Sequence, residues 1–366
     1  MSYPKIELHV HFEGTVQPPT VLEIARRNDV VLPVRNADEL ADLYRYRDFS
    51  HFVTVWVLTT QVLRRADDFR RIVVEYAREA SAYGAVYLEG IFSPAEPVRR
   101  GSSWEEVFEG YCDGAQEARE LHGVEVLLTP DITRSYELDQ AELVVRYAAA
   151  YRDRGVVGVG LGGPEVEHPP TPFERVFRLA RENGLASVPH AGEIAGADSI
   201  RDSLDRLGAH RIRHGIRAVD DTGLVRELAD RRTVLDVCPI SNLRVGAVRS
   251  LEEHPLPHLM AAGVLCSLST DDPALFGTNL HHEYETARSL GLRARDFYEA
   301  GVEGALCDGE TRERLRNTGK AFDWDAIDVS SGDPGAGVTA GSAVDVSPEQ
   351  AARGTAPEAR RDHRCR

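Results

Sequence analysis

No apolar run in this chain approaches the roughly 18 to 20 residues that a membrane-crossing helix requires, and residues 1–7 carry no basic region followed by an apolar core. Those absences exclude a membrane helix and a secretory signal, so the expected setting is soluble and cytoplasmic. Cysteine is scarce as well. Cys112, Cys238, Cys266, Cys307 and Cys365 form no Cys-x-x-Cys pair, and an odd, widely spaced set argues against a disulfide framework or a thiolate zinc site. They are expected to be reduced and mostly buried. Basic charge is in deficit: 43 Lys and Arg face 59 Asp and Glu, a net charge of −16. That balance disfavours attraction to phosphate backbones or anionic membranes, leaving small molecules as the expected partners. Nothing in the sequence sets an oligomeric state.

What is present is alternation. Short apolar runs at 6–11, 85–91, 124–129, 156–161, 186–190, 211–214, 233–238 and 264–269 read as eight strands. Between them, 66–83, 103–122, 141–154, 172–183, 199–207 and 222–231 place apolar residues three and four apart, as amphipathic helices do. Strand and helix alternating at this count predict a parallel (β/α)₈ TIM barrel spanning residues 1–324. The longest gap follows the first strand. Residues 15–84 hold further helix-like stretches at 18–28, 37–44 and 50–63, an insertion on the face where a barrel's active site lies. It reads equally well as a lid over a pocket and as helices that merely cover the barrel. Phe49, Phe52 and Trp56 sit there at helical spacing, more often a core stripe than a pocket wall. From 325 to 366 the composition shifts to Gly, Ala, Ser, Pro, Asp and Arg, too poor in apolar residues to offset ordering, and a disordered tail is expected.

Several stretches carry chemistry. In the first strand His9 and His11 are two apart and face the same side, so one metal ion could sit between them. His190 ends the fifth strand, with the acid Glu193 three residues on and only Ala191 and Gly192 between, small enough for a flat substrate to approach the backbone. Asp271 and Asp272 end the eighth. Loops at the carboxyl ends of barrel strands converge, so three imidazoles and a carboxylate could meet in space, a set suited to zinc rather than to magnesium or calcium. Each piece has a plainer reading: a carbonyl-satisfied His pair, a capped strand end, or a helix N-cap before Pro273.

Together, His9-Val-His11, His190-Ala-Gly-Glu193, Arg213-His214-Gly215 and Ser269-Thr270-Asp271-Asp272-Pro273 resemble the signature stretches of the adenosine deaminase family within the amidohydrolase superfamily. The resemblance covers about residues 4 to 324. It implies a single zinc held by His9, His11, His190 and Asp271. Some amidohydrolases bridge two metals with a carboxylated lysine, but only Lys5 and Lys320 occur here, neither inside a predicted strand. The resemblance further implies Glu193 as the acid that protonates a purine ring nitrogen. It implies His214 as the group that takes or stabilises the proton of the attacking water, and Asp272 as a catalytic group that also contacts the purine N7. His11, Glu13 and Gly163 join the substrate side, Gly163 through its amide and Glu13 toward the ribose 5′-hydroxyl.

Two departures bear on the substrate. Adenosine-specific members usually carry Asp where Glu13 stands, and Gly160 and Pro164 replace aspartates of the substrate loop. The expected reaction is therefore hydrolytic deamination of a 6-aminopurine nucleoside: adenosine, 2′-deoxyadenosine or a 5′-modified adenosine such as aminodeoxyfutalosine. The alternative is an adenine deaminase acting on the free base to give hypoxanthine. The cytidine deaminase signature is absent, since Cys238-Pro239 has no second cysteine at the required spacing.

Overall fold

The computed structural model describes residues 3–47 and 49–328. Its strands are β1 Lys5–His11, β2 Ala85–Phe92, β3 Glu125–Thr133, β4 Gly158–Gly162, β5 in two pieces Ala186–Ser187 and His190–Ala191, β6 Arg211–His214, β7 Val234–Val237 and β8 Leu265–Leu268. Each pairs in parallel with its successor from β1 to β5 and from β5 to β8. The two pieces of β5 are split at Val188-Pro189, where proline offers no N–H. The ladder continues across the gap, because Val188 N–H donates to Val159 O and Arg213 N–H donates to Pro189 O, both at 3.0 Å. At the other side β1 meets Asp271, three residues past the end of β8. His11 N–H donates to Asp271 O at 2.8 Å and Asp271 N–H to His9 O at 3.1 Å. This is the expected barrel order, with all carboxyl ends gathered at one mouth.

Local chemistry explains the helix limits. Ser103 opens helix Trp104–His122 with a capping box to Glu106, and Gly123 closes it in the left-handed region. After β1 come α1 Pro18–Arg27, α2 Ala37–Leu43 and α3 Phe49–Thr60, followed by α4 Ala66–Ala82, close to the predicted insertion. The barrel interior and the helix faces against it form a continuous apolar core, including Ile6, Leu8, Val10, Leu88, Leu128, Val159, Leu161, Ile212, Leu235 and Leu268.

Some predicted limits move. β3 runs four residues beyond 129, passing through Pro130, which stands opposite Phe92, and then pairing Asp131–Thr133 with β4. Helix Leu138–Ala150 begins before the predicted 141. Lys5 lies inside β1, contrary to expectation, but at its amino end, where Nζ donates to Tyr83 O at 2.6 Å, away from the mouth. The described chain continues past Trp324 in a helical turn, Asp325–Asp328; the rest of the expected tail, with Cys365, lies outside the described residues. Cys112, Cys238 and Cys266 are buried and free, Cys307 half-buried and free. No helix of the described residues is long and apolar enough to cross a membrane.

Candidate active site

Four side chains from three strand ends converge at the mouth. Ligand atoms of His9, His11, His190 and Asp271 all lie within 4.8 Å of one another. His9 Nε2 and His11 Nε2 stand 3.2 and 3.4 Å from Asp271 Oδ1, and His11 Nε2 is 3.1 Å from His190 Nε2. The second ring nitrogens are spoken for: His9 Nδ1 lies 3.3 Å from Asp236 O and His190 Nδ1 3.2 Å from Leu161 O. Donation to those carbonyls leaves each Nε2 bare, and His9 Nε2 is buried without a hydrogen-bond partner. Burial first of all holds His9 and His190 well below the usual imidazole range and His11 down to about 3. Neutral imidazoles with bare nitrogens beside a carboxylate fit a metal ion of the zinc type. Asp271 reaches this place at φ 65°, a left-handed conformation that a non-glycine residue holds only when its surroundings enforce it. Ser241 Oγ donates to its Oδ2 at 2.6 Å.

Glu193 and His214 stand next to this set, His214 Nε2 at 3.6 Å from Glu193 Oε2 and 3.9 Å from Asp271 Oδ2. Burial, then the nearby Asp271 and Glu165 charges, push the Glu193 carboxyl well above its ordinary range, which favours its protonated form. The same burial presses His214 down to about 3. A hydrogen-bond chain behind His214 fixes its tautomer. Leu256 N–H donates to His254 Nδ1 at 3.1 Å, so the His254 proton is on Nε2 and points at Asn242 Oδ1, 3.2 Å away. The Asn242 amide then donates through Nδ2 to His214 Nδ1 at 3.2 Å. The His214 proton consequently sits on Nε2, facing Glu193 and Asp271.

Asp272 occupies the N-cap position of the short helix Pro273–Phe276 but makes no cap bond; Oδ1 instead accepts Trp56 Nε1–H at 3.1 Å. Burial and the adjoining Asp271 raise its carboxyl well above the usual range. Gly14 passes so close that a Cβ there would overlap the Asp272 carboxylate. α3 thus belongs to the site. Phe52 and Trp56 line the cavity, and Phe52 stacks on Phe276 at 4.9 Å between ring centroids. The side chain of Phe49 lies outside the described residues.

The cavity measures about 370 Å³ and is lined by His11, His190, Glu193, His214, Asp271, Asp272 and Gly163 among the predicted residues. Glu13 is displaced from it. Its Oε1 accepts Ser93 N–H at 2.6 Å, and the residue borders a neighbouring space of about 10 Å³ that shares Trp56 and Glu96 with the main cavity. Its Oε2 is buried without a hydrogen-bond partner among the described residues, and burial lifts the carboxyl to about 7. Gly192 serves packing, not substrate approach: at φ 70°, a Cβ there would overlap Ile200 of the following helix.

Three supporting residues escaped the sequence motifs. Glu165, next to Pro164, accepts Gly192 N–H at 2.5 Å, the N–H groups of Glu193, Ile194 and Ala195 at 3.1 to 3.2 Å, and Ser199 Oγ–H at 2.6 Å. One buried carboxylate thereby shapes the loop that carries Glu193. Arg134 donates to the carbonyls of His168 and His190. Asp131 pairs with Arg213, which also donates to Thr129 Oγ1 at 2.7 Å, and fills the space that a side chain at Gly160 would need. An aspartate at 160 has no room beside Asp131.

Comparison with known proteins agrees with this geometry. The sequence profile described as Adenosine deaminase matches residues 4–320. This chain belongs to the adenosine deaminase family. It is 52% identical over 330 residues to the aminodeoxyfutalosine deaminase of Acidothermus cellulolyticus, covering 88% of this chain and 93% of that one. Its fold is similar to the crystal structure of an adenine deaminase from Arthrobacter aurescens, with TM-score 0.83 and 31% identity over 87% of this chain and 98% of the other. An amidohydrolase from Burkholderia ambifaria with bound Zn follows at TM-score 0.82 and 27% identity, covering 90% and 92%. The predicted family and the (β/α)₈ fold are borne out, and this member is a hydrolytic deaminase.

Proposed function

We propose that the enzyme is a zinc-dependent deaminase of 6-aminopurine nucleosides, with 5′-modified adenosines such as aminodeoxyfutalosine as its favoured class, giving an inosine-type product and ammonia. The observation that carries this reading is the meeting of Glu193 and His214, 3.6 Å apart, with the His9, His11, His190 and Asp271 donor set at one cavity. The similarity to an aminodeoxyfutalosine deaminase supports the choice among nucleosides. His9, His11, His190 and Asp271 would hold one zinc ion per chain, which when bound would supply hydroxide at neutral pH by lowering the pKa of water to about 7.

The chain's own groups do the rest. Glu193 gives its proton to the ring nitrogen beside C6 as hydroxide bonds to C6; the hydroxyl proton then passes through the Glu193 carboxylate to the amino group, the C6–N bond breaks to release ammonia, and the oxygen remains on C6 as a carbonyl. His214, with Asn242 occupying Nδ1, supports the attacking oxygen as a donor through Nε2–H and does not take the proton. Asp272, oriented by Trp56, contacts the purine N7, and the amide of Gly163 on the cavity wall contacts the other edge of the base. His11 would serve as a metal ligand and, lining the cavity, also meet the substrate, while Glu13, beside the cavity, would serve the sugar side. Free thiols at all four described cysteines suit a cytoplasmic enzyme.

Free adenine is the second reading, favoured by the likeness to the Arthrobacter adenine deaminase. The cavity of about 370 Å³ falls within the roughly 300–1,000 Å³ of sites for larger ligands, more than a bare base fills. Ammonia release from adenine, adenosine, 2′-deoxyadenosine and 5′-substituted adenosines by zinc-loaded protein decides between them. Best turnover on a nucleoside, lost in Glu193→Gln, is expected. Turnover confined to adenine moves the assignment to the free base, and ammonia from none of them ends the aminopurine reading.

A further inference from the structure

We propose that Asp131 is the positioning residue of the His190 ligand. Held on one side by Arg213, it sets its second carboxylate oxygen behind the imidazole and offsets the buried guanidinium, so that the four donors accept a divalent ion. This rests on the metal reading above. Asp131 stands outside the donor set itself, which comprises His9, His11, His190 and Asp271. It reaches the mouth on β3 beyond Pro130, opposite Gly160 of β4.

The sequence of β4 prepares the place. Gly158-Val-Gly160-Leu-Gly162 puts glycine at every second position, hence on one face of the strand. Glycine weakens a strand and often marks a site where another group approaches the backbone closely. At two of the three that group is the Asp131 carboxylate. A Cβ at Gly160 would overlap Asp131 Oδ1 and Arg213 Nη1, and one at Gly162 would overlap Asp131 Oδ2, with His190 Cε1 3.8 Å away. Arg213, the register partner of His190 on β6, crosses β4 over Gly160 to reach Asp131. The carboxylate lies along the glycine face between that guanidinium and His190.

The two oxygens are used differently. Oδ1 pairs with Arg213 Nη1, while Arg213 Nη2 donates to Thr129 Oγ1 at 2.7 Å. Oδ2 is buried with no hydrogen-bond partner among the described residues, and it stands 3.4 Å from His190 Nδ1. That nitrogen also lies 3.2 Å from Leu161 O, so its N–H is shared between a carbonyl and a carboxylate. A carboxylate on the far nitrogen fixes the ring and strengthens the nitrogen that faces a metal, and its loss costs about 10- to 100-fold in metal affinity. Charge adds to orientation. Arg213 is fully buried and has no other carboxylate within ion-pair distance among the described residues. Without Asp131 an unanswered cation would stand beside the place of a dication, where weak screening makes repulsion strong.

The test titrates zinc into the metal-free full chain against a competing chelator, and follows folding separately through the melting temperature of the metal-free protein. Asp131→Asn keeps the shape and an acceptor oxygen but removes the charge. It should bind zinc about 10- to 100-fold more weakly than wild type, with a shifted visible spectrum in the cobalt-loaded protein. Gly162→Ala keeps every charge but presses a methyl group on Oδ2, and should weaken binding about tenfold. It decides the matter where Asp131→Asn fails to fold. Wild-type affinity in both variants overturns the positioning role and leaves the metal reading intact. So does weaker binding that appears only in variants whose metal-free state melts many degrees lower. No zinc bound by folded wild type overturns the metal reading and this inference with it.

Discussion

The barrel contains two buried polar layers that handle charge in opposite ways. At the floor, Arg211 Nε donates to Asp236 Oδ2 at 2.6 Å, Nη2 pairs with Glu89 at 2.8 Å and Nη1 donates to Gly304 O at 2.7 Å. Ser267 and Tyr87 complete the two carboxylates, each at 2.8 Å. At the mouth, Glu193 is partly buried and Asp272 buried, each near the negative Asp271, and neither has a Lys or Arg ion-pair partner among the described residues. Every carboxylate of the floor is paired, whereas the mouth pairs Asp131 with Arg213 but leaves Glu193 and Asp272 without such a partner among the described residues. A TIM barrel separates stability from chemistry by strand end in this way, and the desolvation that penalises a lone carboxylate is what raises the Glu193 carboxyl above its ordinary range.

The largest effect that would test this contrast is loss of rate without loss of stability. Glu193→Gln removes the transferable proton but keeps the shape, so kcat should fall about 10²- to 10⁴-fold. The melting temperature of the same protein should stay level or rise, because a desolvated ionisable group has gone. A melting temperature that drops by many degrees would mean that Glu193 is a structural member of the mouth and that the two layers are alike.

Arg211→Met is the converse. It strands Glu89 and Asp236 without their cation, which costs about 3–5 kcal/mol where one partner of a buried pair is removed. Denaturant unfolding reads that loss, while kcat per folded molecule should remain within a few-fold of wild type. If kcat collapses and stability does not, the floor is coupled to the mouth and the separation fails.

Legibility in the sequence follows the same division. Strand ends that combine apolar alternation with His or Asp announced themselves: His9, His11, His190 and Asp271 were predicted from face and position, and the structure gathers all four. Asp131 was hidden because β3 reads as ending before Pro130, whereas Pro130 occupies a ladder position opposite Phe92 and carries Asp131 to the mouth. Trp56 was hidden for a different reason. Its spacing with Phe52 is that of a core stripe, and only tertiary packing of α3 against Phe276 turns it toward Asp272. Glu165, Asn242 and His254 act through backbone amides or other side chains, contacts for which no spacing rule exists.

Glu283 sharpens the comparison from a third position. It is buried in helix Leu280–Ser289, accepting Thr278 Oγ1–H at 2.8 Å and Ile240 N–H at 3.2 Å, with no ion-pair partner among the described residues. Burial raises its carboxyl from 4.5 to about 8. Between those values the folded state keeps a proton that the unfolded chain releases. The stability it contributes is therefore full below about pH 4.5 and lost as pH rises toward 8, at a slope of no more than about 1.4 kcal/mol per pH unit. Glu283→Gln should flatten the pH dependence of unfolding over this range relative to wild type. Equal slopes in both proteins would show Glu283 answered by a charge, like the floor.

The smallest expected effect concerns a proton that never leaves. His254 holds Asn242 so that the amide nitrogen, not the oxygen, meets His214 Nδ1, and this places the His214 proton on Nε2. Asn242→Asp keeps the shape but substitutes an acceptor, which draws that proton to Nδ1 and leaves Nε2 bare toward Glu193 and Asp271. If His214 works as a donor, kcat should fall about tenfold, the worth of one hydrogen bond to a developing charge, with KM nearly unchanged. His254→Phe should produce a milder loss of the same kind, since a freed amide can present either end. Nitrogen chemical shifts of His214 report the tautomer independently of rate. An Asn242→Asp protein whose shifts reveal the moved proton while kcat holds would mean that His214 acts by occupying space, and the mouth would then depend on Glu193 and the metal donors for its chemistry.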